Sequence, residues 1–155
     1  MAVAHSTVAE LREFGAEVGF EVDGDAELGD GWAAVYYADG PAGGGAHLAR
    51  RTGAPVFTVA YLDSDVGFVE AVTPAGARWT ALLNRDTAED YEIPLDRYPV
   101  EPALAGALAW ASAAGLSADP EGIRAALTGS ETFAEDLADR LLTALGIEIA
   151  STMAE

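Results

Sequence analysis

The segment 56–84 constrains the fold more than any other part of the chain, because three runs rich in β-branched and aromatic residues alternate there with two turn signals. The separators are residues 63–65 and 74–76. In the second separator, Pro followed by Gly suits a three-residue loop, which would place Thr73 opposite Ala77. The pattern predicts a three-stranded antiparallel meander.

Counting outward from the two turns predicts which side chains share a face of this meander. One face is almost wholly apolar and is expected to be core: Phe57, Val59, Tyr61, Val69, Ala71, Trp79, Ala81 and Leu83. The other face divides into an apolar part, formed by Ala60, Leu62, Val66, Phe68 and Leu82, and a polar part, formed by Thr58, Glu70, Arg78 and Thr80. A sheet with such an apolar face needs helices to cover it.

Helical patterns supply that cover, mostly in the C-terminal third. A capping box at Thr7 and Glu10 predicts a first short helix, and His5 before it is expected in a mobile segment. Thr132 and Glu135 have the same spacing and predict the start of the last helix, with Phe133 on its buried side. We therefore expect a single α+β domain over 1–155, with a mainly antiparallel sheet and C-terminal helices packed on one face.

The charge of the chain restricts its partners. It carries 26 Asp and Glu against eight basic residues, all of them Arg, and its net charge is −18. Such a field disfavours nucleic acid and anionic membranes and favours a basic protein. The chain has no Cys, which excludes disulfides and thiolate metal sites. It has no apolar run long enough to span a bilayer and no secretory leader, so we expect a cytoplasmic protein, and its Ala and Arg usage is typical of a GC-rich bacterium.

An acidic row follows the first helix. Glu21, Asp23, Asp25 and Glu27 are predicted to project from one face of a strand at intervals of about 6.6 Å, and Asp30 extends the row. Such a row is suited to receive Arg and Lys side chains of a partner. The alternative is a solvated edge strand that its charges protect from aggregation.

Other candidate sites have weaker support. Asp23, Asp25, Glu27 and Asp30 resemble the start of a calcium loop, but Leu28 and Ala34 stand where an EF-hand needs Gly and Glu. The Gly-rich stretch 40–45 lacks the Lys and Ser or Thr of a phosphate-binding loop. Glu70, Arg78, Thr80 and His47 form a candidate polar pocket, for which an ordinary cross-strand ion pair is the simpler interpretation. No catalytic residue, metal ligand or cofactor is predicted.

The sequence thus favours a non-enzymatic acidic protein that masks a basic protein surface. An inhibitor or immunity protein against a basic toxin or nuclease fits this description, as do an acidic chaperone and a nucleic-acid mimic. The competing class is a small-molecule binder or a carboxylate-dependent hydrolase, with a pocket between the sheet and the helices.

Overall fold

The computed structural model describes residues 1–39 and 44–149. The strands within them are β1 Ala2–Ala4, β2 Glu21–Glu27, β3 Ala33–Asp39, β4 Val56–Leu62, β5 Val66–Val72 and β6 Arg78–Leu83. They form one sheet in the order β2-β3-β1-β4-β5-β6, and every neighbouring pair is antiparallel. Together with the helices, this sheet confirms the predicted α+β class.

The helices in the described residues are α1 Val8–Val18, α2 Gly44–Thr52, α3 Arg85–Asp90, α4 Val100–Ala113, α5 Pro120–Thr128 and α6 Ala134–Leu145. Two short 3-10 turns lie at Gly29–Gly31 and Leu95–Arg97. None of the helices in this part of the chain has the length and apolar character needed to cross a bilayer. Most of the predicted Gly-rich connection, residues 40–43, lies outside the described residues.

The predicted meander is confirmed as β4, β5 and β6. Thr73 donates its backbone N–H to the Ala77 carbonyl oxygen at 2.9 Å, and Gly76 takes the left-handed conformation with φ of 101°. The predicted apolar face is also confirmed, since seven of its eight members are buried in the main core and Tyr61 packs against that core. Turn chemistry and alternation were enough to fix this register.

The first residues of the chain form the centre of the sheet, contrary to the expected mobile segment. β1 lies between β3 and β4 and is fully buried. Immediately after it, the His5 ring packs edge-on against Trp32 at a centroid distance of 5.5 Å. Three small apolar residues form no alternating pattern, which is why the sequence did not predict this strand.

The sheet carries helices on both faces. α4, α5 and α6 cover one face and form the main core with it, where Trp110 packs near Phe57 and donates its indole N–H to the Val72 carbonyl oxygen at 2.9 Å. α1 and α2 cover part of the other face around Phe14 and Leu48. α3 and the second 3-10 turn cover the apolar end of that face, at Val66. The C-terminal helices therefore pack on one face, as predicted.

The two predicted capping boxes have different outcomes. Thr7 and Glu10 form a capping box at α1, as expected. The box predicted at Thr132 is not formed, because α6 starts one residue after Phe133 and its first N–H, from Ala134, donates to the Ser64 carbonyl oxygen at 2.8 Å. The β4–β5 turn thus supplies the acceptor that a side chain normally provides at a helix N-terminus.

Candidate protein-binding surfaces

The acidic residues predicted to bind a partner lie on and just after β2, which forms an edge of the sheet because it pairs only with β3. All of them are exposed: Glu21, Asp23, Asp25, Glu27 and Asp30. Asp30 lies in the first 3-10 turn with φ of 57°, and its carbonyl oxygen is 3.0 Å from His5 Nε2. The structure therefore places the predicted residues along one accessible edge.

The regular spacing predicted for this row is interrupted by a β-bulge. Val22 lies opposite Tyr37, but Gly24 lies opposite Tyr36, so β2 carries an extra residue, Asp23, at this point. A second register shift lies between Glu21 and Val22, where β3 carries the extra residue. A bulge of this kind shifts the alternation of side chains by one residue.

The uninterrupted alternation on which the one-face prediction rests is therefore broken within β2. Val22 and Asp25 are three residues apart but lie on the same face, because both oppose residues whose side chains belong to the α1 side of the sheet. Glu21 pairs with Asp39 beyond a second register shift, so simple alternation from Val22 does not assign its face. Charge and a bulge are both devices that protect edge strands from pairing, so this geometry fits the edge-protection interpretation as well as partner binding.

Arginines neutralise part of the acidic surface around α1. The Arg12 guanidinium pairs with Asp25 at 2.5 Å. Arg51 on α2 bonds both Glu13 and Glu17 on the outer side of α1. The field at this end of the molecule is thus weaker than the sequence alone suggests.

Three of the four residues of the predicted polar pocket come together. Glu70 lies opposite Thr80, and its Oε2 is 3.0 Å from Arg78 Nη1. The His47 ring instead packs edge-on against Phe14 at a centroid distance of 5.2 Å. The group is a cross-strand ion pair on a partly wet sheet face, which is an ordinary stabilising arrangement.

An open groove of about 470 Å³ lies between α5 and α6. Its lining residues are Asp119, Gly122, Ala125, Ala126, Asp139, Arg140, Thr143, Ala144 and Ile149. Asp119 is the N-cap of α5, since its carboxylate accepts the backbone N–H of Glu121 at 3.2 Å. Of the two carboxylates that line this groove, only Asp139 does not cap a helix.

A second acidic surface surrounds the β4–β5 turn, and no sequence pattern predicted it. The turn joins two other segments: Tyr91 donates its hydroxyl to Asp65 Oδ2 at 2.6 Å, and Ser64 donates its hydroxyl to Glu135 Oε2 at 2.8 Å. We call this region the turn surface and define it by Leu62, Asp63, Asp65, Tyr91, Phe133, Glu135 and Asp136.

Ionisation on and beside the turn surface reflects its crowded carboxylates. The hydrogen bond to Asp65 raises the pKa of the Tyr91 hydroxyl. Partial burial, followed by the charges of Asp136 and Glu135, raises the pKa of Asp139, which lies one helical turn further along α6. Like charges therefore repel one another here.

Phe133 belongs to this surface, although the sequence pattern predicted that its side chain is buried. It was expected on the buried side of the last helix, but its side chain is 56% exposed. The reason is that Phe133 is the N-cap residue of α6 and lies outside the helical periodicity that buries Leu137 and Leu141. Exposure of an aromatic residue at a helix start depends on tertiary packing, which periodicity does not report.

No protein-family model, curated protein or solved structure was found that matches this chain.

Proposed function

We propose that this chain is a non-enzymatic binding protein that covers a basic surface of another protein, in the manner of an inhibitor or immunity protein against a basic toxin or nuclease. The observation that carries the proposal is the excess of carboxylates over arginines on the described surface. Such an excess raises the association rate with a cationic partner through long-range attraction.

The ion pairs show how large this excess is. Five arginines bond carboxylates in the described residues, and those carboxylates are Glu13, Glu17, Asp25, Glu70, Glu101 and Glu131. Most of the acidic side chains in the described residues are therefore outside these pairs. Exposed ion pairs add little stability, and a surplus of this size has no evident role in the fold itself.

The edge strand β2 is the contact surface that the sequence favours. Glu21, Asp23 and Glu27 are exposed and take part in no ion pair among the described residues. Because β2 is an edge strand, a partner could approach it from the open side of the sheet. Its Arg and Lys side chains would then reach these carboxylates.

The competing class, a small-molecule binder or carboxylate-dependent hydrolase, has one observation in its favour. Asp139 has a raised pKa and lines the groove between α5 and α6. General acid and base catalysis by carboxylates needs two of them free to exchange protons, whereas Asp119 in the same groove caps a helix. We therefore favour the binding function.

The test uses purified basic proteins of different shapes, namely lysozyme, cytochrome c and ribonuclease A, with serum albumin as an acidic control. We expect the chain to bind at least one basic protein at low salt. The variant E21Q/D23N/D25N/E27Q should fold normally but associate several-fold more slowly at low salt, because steering depends on the removed charges. Stopped-flow fluorescence measures the association rate, and circular dichroism checks folding.

High salt provides the control for this experiment. Screening at about 0.5 M NaCl should remove most of the difference between wild type and variant. Equal association rates at low salt would reject β2 as the contact surface. Failure of all three basic proteins to bind would reject the proposed function itself.

A further inference from the structure

Large apolar side chains are exposed in few places on the described surface, and most of these residues lie beside the β4–β5 turn. The exposed members are Tyr36, Leu62, Tyr91 and Phe133. The Leu62 carbonyl accepts the Asp65 N–H at 2.9 Å, and Asp65 bonds the Tyr91 hydroxyl. Phe133 directly precedes Ala134, whose backbone N–H donates to the Ser64 carbonyl oxygen. One three-residue turn thus gathers three of the four exposed apolar side chains, a concentration that marks interaction sites.

Carboxylates surround these apolar side chains without arginine partners. Within the described residues, Asp63, Asp65, Glu135 and Asp136 take part in no ion pair. The contrast with the α1 region is direct, since Arg12 and Arg51 neutralise carboxylates there. Arg140 pairs with Glu131 beside the turn surface, but the four carboxylates of the surface itself have no arginine partner.

The turn surface is also held in a fixed shape. The buried Asn84 side chain donates to the carbonyl oxygens of Asp65 and Glu131 at 2.7 and 2.9 Å. Ser64 bonds the first turn of α6 through both its carbonyl and its hydroxyl. A surface that is ordered before binding loses less conformational entropy when a partner docks.

One carboxylate oxygen on this surface lacks a donor. Ser64 bonds Glu135 Oε2, while Glu135 Oε1 is buried and has no hydrogen-bond partner among the described residues. A buried acceptor without a donor costs free energy.

We propose that the turn surface is the docking site for the basic protein partner, with Arg or Lys side chains meeting its carboxylates and apolar side chains of the partner packing separately on Tyr91 and on Phe133. This inference rests on the proposed function and names its contact surface. Aromatic side chains dominate binding energy at protein interfaces, and charges around them steer the encounter. A second copy of this chain is a poor occupant, because its net charge of −18 would place like charges against the same carboxylates.

Two synthetic peptides serve as probes. In the first, four Arg alternate with three Leu; in the second, Gly replaces each Leu, so that the two have the same charge. Wild type should bind the Leu peptide about tenfold more tightly than the Gly peptide, as measured by fluorescence anisotropy at low salt. The variant Y91S/F133S should lose that preference and keep its affinity for the Gly peptide. Both substitutions are at exposed positions, and thermal melts check that the variant folds.

Matched charge variants locate the site. D63N/D136N and E21Q/E27Q each remove two exposed carboxylates that make no side-chain hydrogen bond or ion pair in the described residues. We expect D63N/D136N to weaken binding of the Leu peptide about tenfold and E21Q/E27Q to weaken it less than threefold. Amide shifts in a ¹⁵N NMR titration should concentrate at residues 62–65, 91 and 133–136.

The outcomes separate the two proposals. If both charge variants weaken binding equally, or if the NMR shifts concentrate on β2, the turn surface is rejected and the proposed function stands. If wild type shows no preference for the Leu peptide, the aromatic anchors are rejected. If wild type binds neither peptide at low salt and none of the basic proteins, the proposed function fails as well.

Discussion

Asn84 shows how much one side chain contributes to the shape of the turn surface. It is 1% exposed and takes the left-handed conformation, with φ of 68° and ψ of 54°. Its amide group donates to Asp65 and Glu131, and its oxygen accepts the Glu131 N–H at 3.2 Å. It therefore satisfies backbone groups of two separate segments, and Asn tolerates this backbone conformation better than most residues do.

We predict that Asn84→Ala lowers the free energy of unfolding by about 2–4 kcal/mol. The substitution leaves backbone groups of Asp65 and Glu131 without partners. It also keeps a side chain at positive φ while removing the hydrogen bonds that compensate Asn84 for that conformation. Urea denaturation followed by circular dichroism measures the change. A loss below about 0.5 kcal/mol would show that these hydrogen bonds do not hold the two segments together.

Asn84→Gly is the matched control for this prediction. It removes the same hydrogen bonds but allows positive φ at no steric cost. We expect it to be less destabilising than Asn84→Ala by up to about 1 kcal/mol, because only the backbone strain differs between the two. Equal losses would assign the whole effect to the hydrogen bonds.

The sequence could not have predicted this role. An Asn that follows a strand normally indicates a turn, and the partners of Asn84 are 19 and 47 residues away. Phe133 illustrates the same limit, since its exposure depends on where α6 begins. By contrast, the capping box of Thr7 and Glu10 was predicted correctly, because both partners lie within one helical turn.

At the scale of elements, local signals predicted most of the sheet. The register of β4, β5 and β6 follows from two turns and a two-residue alternation. β1 was missed because it is three residues long, and its strand character depends on pairing with β3 and β4 on either side. The β2 bulge was missed because its position depends on the register with β3. The candidate acidic row was therefore placed on the right strand, but the break in its alternation was not predicted.

The contact between α4 and β6 gives a prediction at this scale. Gly106 is in the interior of α4, and a Cβ there would meet the Trp79 Cβ closer than carbon atoms can approach. Gly106→Ala should therefore lower the free energy of unfolding by about 1–3 kcal/mol through overpacking, although Ala favours helices more than Gly does. Thermal and urea melts measure this change.

Ala105 supplies the neighbouring control. It is exposed on the same helix, so Ala105→Gly should cost about 1 kcal/mol through helix propensity alone. The two substitutions exchange Ala and Gly in opposite directions, yet both should destabilise the protein. If Gly106→Ala instead stabilised it, the close approach of α4 to the sheet would be wrong.

At the scale of the whole molecule, the arginines are distributed unevenly relative to the carboxylates. Arg12 and Arg51 neutralise acids near α1, whereas Arg140 pairs with Glu131 beside the turn surface and the four carboxylates of that surface take part in no ion pair in the described residues. Composition predicted the surplus of negative charge but not its location, because location depends on which segments the fold brings together. Partial burial first, and then the charges of Asp136 and Glu135, raise the pKa of Asp139, so repulsion between carboxylates adds to the effect of burial there.

That repulsion predicts how the stability of the fold depends on salt. The Debye length falls from about 30 Å at 0.01 M salt to about 10 Å at 0.1 M, so added NaCl weakens both the ion pairs and the repulsion between unpaired carboxylates. Exposed ion pairs contribute at most about 1 kcal/mol each, and most of the acidic side chains lie outside them. Repulsion should therefore dominate, and Tm should rise by about 2–4 °C over this range, measured by calorimetry.

A variant that combines Glu21→Gln, Glu27→Gln, Asp63→Asn and Asp136→Asn should have a higher Tm at low salt and a smaller rise in Tm as NaCl is added. A Tm that falls as NaCl is added would mean that the ion pairs stabilise the fold more than the unpaired carboxylates destabilise it. The surplus of carboxylates would then no longer support the proposal of a basic partner.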